Sequence, residues 1–97
     1  MNIQETLLSI ADSEYKKFQS KLIPNIDSDK IIGVRMPQLK ALSKRLYNTN
    51  NADNFLSVLP HRYYDENNLH AFLIAQIKDF NECIAKINLF LPVHVPP

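Results

Sequence analysis

Few side chains in this chain are chemically versatile, and their spacing decides most of what they can do. The histidines are His61, His70 and His94, and the single cysteine is Cys83. None of them falls at the close spacings that gather imidazoles and thiolates around a metal, so no metal ligand set is read. The one glycine, Gly33, excludes a glycine-rich phosphate loop, and no nucleophile elbow is present, so no cofactor is expected. Cys83 has no partner for an intrachain disulfide and sits in a helical pattern, as a small apolar residue would. Asp65 and Glu66 are adjacent carboxylates at a predicted helix start, where the macrodipole favours acids for structural reasons. His70 follows Glu66 by four residues, a spacing that suits a hydrogen-bonded pair on one helix face. The structural role outweighs a catalytic one at these positions, and no catalytic residue is assigned.

The functional slant lies instead in residues 30–47. This stretch holds Lys30, Arg35, Lys40, Lys44 and Arg45 and no acid, although the whole chain carries a formal charge of only +1. Arg35 at a tight turn, followed by Lys40, Lys44 and Arg45, can track a phosphate backbone. A merely solvated helix face explains the same charges equally well.

The elements that must position these residues read as helices. Ninety-seven residues make one small domain with a modest core. A single glycine and the absence of alternating Val/Ile/Thr-rich runs argue against a sheet; only Lys30–Val34 and Val93–Val95 look strand-like. Asn2 and Glu5 have capping-box spacing. Leu8, Ala11, Tyr15, Phe18 and Leu22 trace one helical stripe, with a break expected at Asp12-Ser13 and a stop at Pro24. Gly33 supplies a special backbone angle or close approach, and Pro37 opens a helix whose Leu39, Leu42 and Leu46 share a face. Asp53 is expected to cap a short helix ending at Pro60, Asp65 to cap the next, and Asp79 or Asn81 the last. The helix through Leu69, Phe72, Leu73, Ile74 and Ile77 is apolar over a wide arc and needs neighbours on both sides. The last helix turns Cys83, Ile84, Ile87, Phe90 and Leu91 inward and stops at Pro92. The result is an all-α chain of about six helices in antiparallel pairs. That is the logic of an α-solenoid, with a compact bundle as the alternative. No apolar run reaches the roughly 20 residues that span a bilayer, and no signal peptide is evident, so a cytoplasmic protein is expected.

Several strings carry more than periodicity. Tyr15-Lys16-Lys17-Phe18 with Leu22 and Pro24 precedes Ile32-Gly33-Val34-Arg35-Met36-Pro37-Gln38-Leu39-Lys40-Ala41-Leu42. Leu59-Pro60, Tyr63 to His70, Ile77 to Phe80 and Phe90-Leu91-Pro92 follow. In this order they resemble the N-terminal part of the bacterial DNA alkylation repair family of HEAT-like-repeat alkylpurine DNA glycosylases. The resemblance covers residues 1–92 as helical repeats and leaves 93–97 as an irregular tail. It implies a superhelix whose concave basic face cradles duplex DNA, and metal-free hydrolysis of the N-glycosidic bond of cationic alkylated purines. It also implies that Arg35 points toward the DNA.

The same resemblance implies a missing catalyst. The family chain is more than twice as long, and its catalytic Asp and neighbouring Trp follow the Phe-Leu-Pro string. Here Val93-His94-Val95-Pro96-Pro97 follows, and the sequence contains no tryptophan. The chain is therefore expected to be inactive alone and to self-associate through an exposed C-terminal repeat face. The alternative function is a non-catalytic helical module that binds DNA or a protein partner.

Overall fold

The computed structural model of the chain describes residues 2–94, with side chains described for residues 2–90. It is all-α. Among the described residues, six α-helices, α1 (Ile3–Ser9), α2 (Ser13–Leu22), α3 (Met36–Leu46), α4 (Asn50–Ser57), α5 (Tyr64–Ala75) and α6 (Phe80–His94), are joined by short turns and one 3-10 turn at Ser28–Lys30. There is no strand among the described residues. The molecule measures 38 × 31 × 19 Å, a thickness that admits two layers of helices and no third.

Helix α5 is the hub, packing against α3, α4 and α6. Its Leu69, Leu73 and Ile74 are all buried, as an apolar helix with neighbours on more than one side requires. Leu39, Leu42 and Leu46 of α3 meet it in a core completed by Leu7, Val34, Phe55, Leu56 and Phe90. Cys83 and Ile87 lie half-buried against that core, while Ile84 is exposed. The side chain of Leu91 lies outside the described residues.

Local chemistry explains most boundaries and corrects several expectations. Asn2 caps α1 by accepting from the Glu5 N–H at 3.0 Å. Asp12 caps α2 by accepting from Glu14 and Tyr15, which produces the predicted break. That break also dissolves the predicted apolar stripe. Burial falls to Ile3 and Leu7, whereas Leu8, Phe18 and Leu22 are at least half exposed. Helix α1 stops at Ser9 and α2 starts at Ser13, so residues on either side of the break do not lie on one continuous helical face. Pro37 takes the second helical position of α3, and Asn48, at φ 63°, ends that helix in the left-handed region. Thr49, not Asp53, caps α4, accepting from Ala52 at 3.2 Å. Asp79 caps α6 through the Glu82 N–H. That helix runs past Pro92 to His94, so the proline, which removes one N–H from the ladder, does not stop it. Val95 to Pro97 lie outside the described residues.

Asp65 differs most from expectation. The N-cap position of α5 belongs to Tyr63, and Asp65 sits within the first turn at 1% exposure. Its Oδ1 accepts from the Ile32 N–H at 2.7 Å, and its Oδ2 accepts from Gly33 at 3.2 Å and Val34 at 2.8 Å. The strand-like run before α3 therefore forms no ladder. Its amides converge on one carboxylate, a nest of backbone N–H groups around an internal anion. Gly33 makes the geometry accessible: its φ is +89°, and a Cβ there would sit 2.6 Å from Lys16 Cβ and 2.9 Å from the Asp12 carbonyl oxygen. The Gly33 carbonyl in turn accepts from the Asp12 N–H at 2.9 Å. One turn thus joins α2, α3 and α5.

Replacing Asp65 by Asn keeps the volume but turns an N–H donor toward amides that need an acceptor. Asp65→Asn should lose roughly 2–4 kcal/mol of stability, read as a lowered urea midpoint. An unchanged midpoint would show that the nest is satisfied without the carboxylate.

Candidate functional site

The four basic residues singled out by sequence do not form one stripe. Arg35 holds the N-cap position of α3 with extended backbone angles, and its side chain crosses to α2. There its Nε donates to Asp12 Oδ2 at 3.0 Å, and its guanidinium lies 5.1 Å from the centre of the Tyr15 ring. The Tyr15 N–H and the Arg35 guanidinium hold the Asp12 carboxyl below its ordinary range. Half of the Arg35 side chain is exposed, so its outer nitrogens still face solvent, but beside a carboxylate that any phosphate would meet too.

Further along α3, burial of Leu39, Leu42, Ser43 and Leu46 fixes which sides remain. At about 100° per residue, Lys40 and Lys44 emerge on one flank and Arg45 emerges on the other. All three are exposed. Lys40 Nζ lies 5.7 Å from the centre of the Phe72 ring of α5, and this contact anchors it at the α3–α5 seam. Neither Lys44 nor Arg45 has an ion-pair partner among the described residues. The pair Lys40–Lys44 is therefore the coherent part of the predicted basic surface. Arg35 and Arg45 stand apart from it.

A second constellation lies across the molecule, where the turn before α5 meets α4 and α6. His61 Nε2 approaches His70 Nδ1 at 2.7 Å, and His61 Nδ1 faces Glu66 Oε2 at 4.0 Å. Glu66 does not bond His70, as its helical spacing suggested. His61 lies between them, brought there by the turn after α4. Phe55 stacks flat on His61 at 4.2 Å, and Phe90 stacks flat on His70 at 4.1 Å. Glu66 Oε1 accepts from the Tyr63 N–H at 3.0 Å and from the Gln4 side chain at 3.3 Å. Burial lowers the His61 pKa to about 4.

The His61–His70 bond holds one proton, and which ring donates it depends on the tautomers. The Glu66 carboxylate, 4.0 Å away, favours the His61 tautomer with its proton on Nδ1 and Nε2 as acceptor, in which His70 donates from Nδ1. The cluster resembles a proton relay in order, Glu66 to His61 to His70. Yet the His61 and Glu66 side chains are only 4% and 5% exposed, so no substrate atom reaches the inner contact. Among the described residues no three His, Cys, Asp or Glu side chains converge as metal ligands. The arrangement is structural chemistry rather than a catalytic centre.

Two open clefts flank this cluster. One, of about 510 Å³, is lined by Gln4, Asn51, Asn54, Phe55, Arg62 and Glu66 among others. The other, of about 470 Å³, includes Asp27, Lys30, Arg62 and Tyr64. No periodicity announces the His pair, because its members are nine residues apart and divided by a turn. No helix among the described residues is long and apolar enough to cross a membrane. Comparison with known proteins finds no matching family model, no matching curated protein and no matching solved structure.

Long-range nitrogen–proton NMR spectra at neutral pH test the proton assignment. His61 and His70 should both appear as Nδ1–H tautomers. A His61 ring protonated on Nε2 would contradict the role given to Glu66.

Proposed function

We propose that this chain is a non-catalytic scaffold that binds duplex DNA, and that it is related to the HEAT-like DNA alkylation repair glycosylases. In those proteins such a scaffold serves hydrolysis of alkylated purines. The observation that carries the binding reading is the pair Lys40–Lys44. Both are exposed on one flank of a helix whose whole approach, residues 30–47, contains no acid. Two ammonium groups one helical turn apart, about 6 Å along the axis, suit successive phosphates of a backbone. The all-α architecture is compatible with this reading. The sequence resemblance supports its link to DNA repair.

Arg35 has a smaller part than the resemblance implies. Its salt bridge to Asp12 must be shared or opened before it can engage a phosphate, and Asp12 repels that phosphate meanwhile. Lys40 and Lys44 therefore supply the main electrostatic contact, with Arg45 and Arg35 at its margins. No residue of this chain is assigned a step in glycosidic-bond cleavage.

Fluorescence anisotropy with a short duplex, repeated across salt concentrations, tests the reading. Affinity should fall steeply with salt, and Lys40→Ala combined with Lys44→Ala should reduce the log–log slope by roughly 2. The loss should be similar for unrelated duplex sequences, because phosphate contacts carry no sequence information. An unchanged slope in the double variant would remove the assigned face. Absence of duplex binding at low salt would overturn the DNA reading and leave a protein partner.

A further inference from the structure

Lys30 and Arg62 belong neither to the core nor to the Lys40–Lys44 flank. Both border the cleft of about 470 Å³ between the 3-10 turn and the start of α5, together with Asn25, Asp27, Tyr64 and Asn67. None of these six side chains makes a hydrogen bond or an ion pair among the described residues. Neither cation pairs with Asp27, although all three charges border the same opening. Six polar groups thus face one cleft with their hydrogen-bonding capacity unused by the fold.

The walls that carry them are held. On one side Ile31 and Ile32 are buried directly after Lys30, and Asp65 of α5 binds the Ile32 N–H at 2.7 Å. Lys30 therefore starts from backbone tied to the facing wall. On the other side the His61 ring lies flat on Phe55, and Arg62 follows it with its guanidinium 5.5 Å from the centre of the half-buried Tyr63 ring. Tyr64 and Asn67 stand three residues apart on α5, so they share a side of that helix. The two cations are placed before a ligand arrives, which lowers the ordering cost of binding.

The charges select the ligand. Lys30, Arg62 and Asp27 leave the lining at a net charge of +1. Asp65 is turned to the amides of residues 32–34, Glu66 borders the other cleft, and the nitrogens of His61 face His70 and Glu66. A phosphomonoester carries about two negative charges on three terminal oxygens near neutral pH. A guanidinium fork, an ammonium and a phenolic hydroxyl together match such a group, whereas a carboxylate offers a single charge to two cations. Asp27 repels an anion at its own end and accepts from hydroxyls, and the amides of Asn25 and Asn67 both donate and accept.

We propose that this cleft binds a small sugar phosphate, with the phosphate held by Lys30, Arg62 and the Tyr64 hydroxyl and the sugar hydroxyls held by Asp27, Asn25 and Asn67. The cavity volume lies in the range of small-molecule sites. The site does not draw on Lys40–Lys44, so it stands or falls separately from the duplex reading.

Titration of the nitrogen-labelled whole chain at constant ionic strength, followed by amide NMR shifts, tests this with inorganic phosphate, ribose and ribose-5-phosphate. Ribose-5-phosphate should bind more tightly than either fragment and perturb residues 25–30 and 62–67. Arg62→Gln and Lys30→Gln should each weaken it by roughly 10-fold or more. Asp27→Asn should narrow the gap between ribose-5-phosphate and inorganic phosphate without weakening the latter. Shifts centred elsewhere, or affinities unmoved by Arg62→Gln and Lys30→Gln, would overturn the site; if a variant does not fold, the shift map of the unmodified chain decides. A phosphate ester can also reach the cleft as part of a DNA backbone. Excess duplex added to the Lys40→Ala, Lys44→Ala chain separates the two sources. Retained ribose-5-phosphate shifts support a free sugar phosphate, and displacement overturns it and gives the cleft to the duplex.

Discussion

The carboxylate of Asp65 is the interaction on which the rest of this structure depends. Three consecutive amides leave the chain between the 3-10 turn and α3, where no ladder or helix can take them. A buried N–H without an acceptor costs about 1–3 kcal/mol, so three would be prohibitive in a domain of this size. Asp65 meets all of them with two oxygens, at distances of 2.7 to 3.2 Å. Because it belongs to the first turn of α5, the same bond set fixes the start of α3 against the hub helix. Gly33, at φ +89°, then lets α2 approach to within contact of the turn.

That constraint decides what the basic surface can be. Pinning residues 32–34 places Arg35 at the head of α3 and directs it toward α2, where Asp12 already stands as a helix cap. The acid that caps one helix thereby becomes the counter-ion of the residue that begins another. Lys40 and Lys44, a turn or more further on, escape this pairing, and the field available to a polyanion is theirs. A charge count along residues 30–47 overstates the site by including an arginine that the fold has partly neutralised.

How much was legible beforehand follows from the range of each interaction. The helices, their leucine faces on α3 and α5, the break at Asp12-Ser13 and the caps at Asn2 and Asp79 arise within a turn or two of chain, and sequence spacing carries them. The stripe from Leu8 to Leu22 looked like one face only while the helix was assumed continuous. Asp65 reads as an N-cap because helix-start acids usually are, and its true donors lie more than thirty residues away. The Arg35–Asp12 pair and the His61–His70 contact are likewise products of tertiary approach. Gly33 was legible as a constraint, though not as the partner of Asp65 in making a nest.

Amide hydrogen exchange at Ile32, Gly33 and Val34, near neutral pH, tests the central role of Asp65 most directly. These residues lie outside any helix, so without the carboxylate their N–H groups would exchange as a loop does. Their protection should match that of the core amides of α5 and be lost together, only when α5 itself opens. Exchange at the rate of an unprotected loop, with α5 still protected, would contradict it.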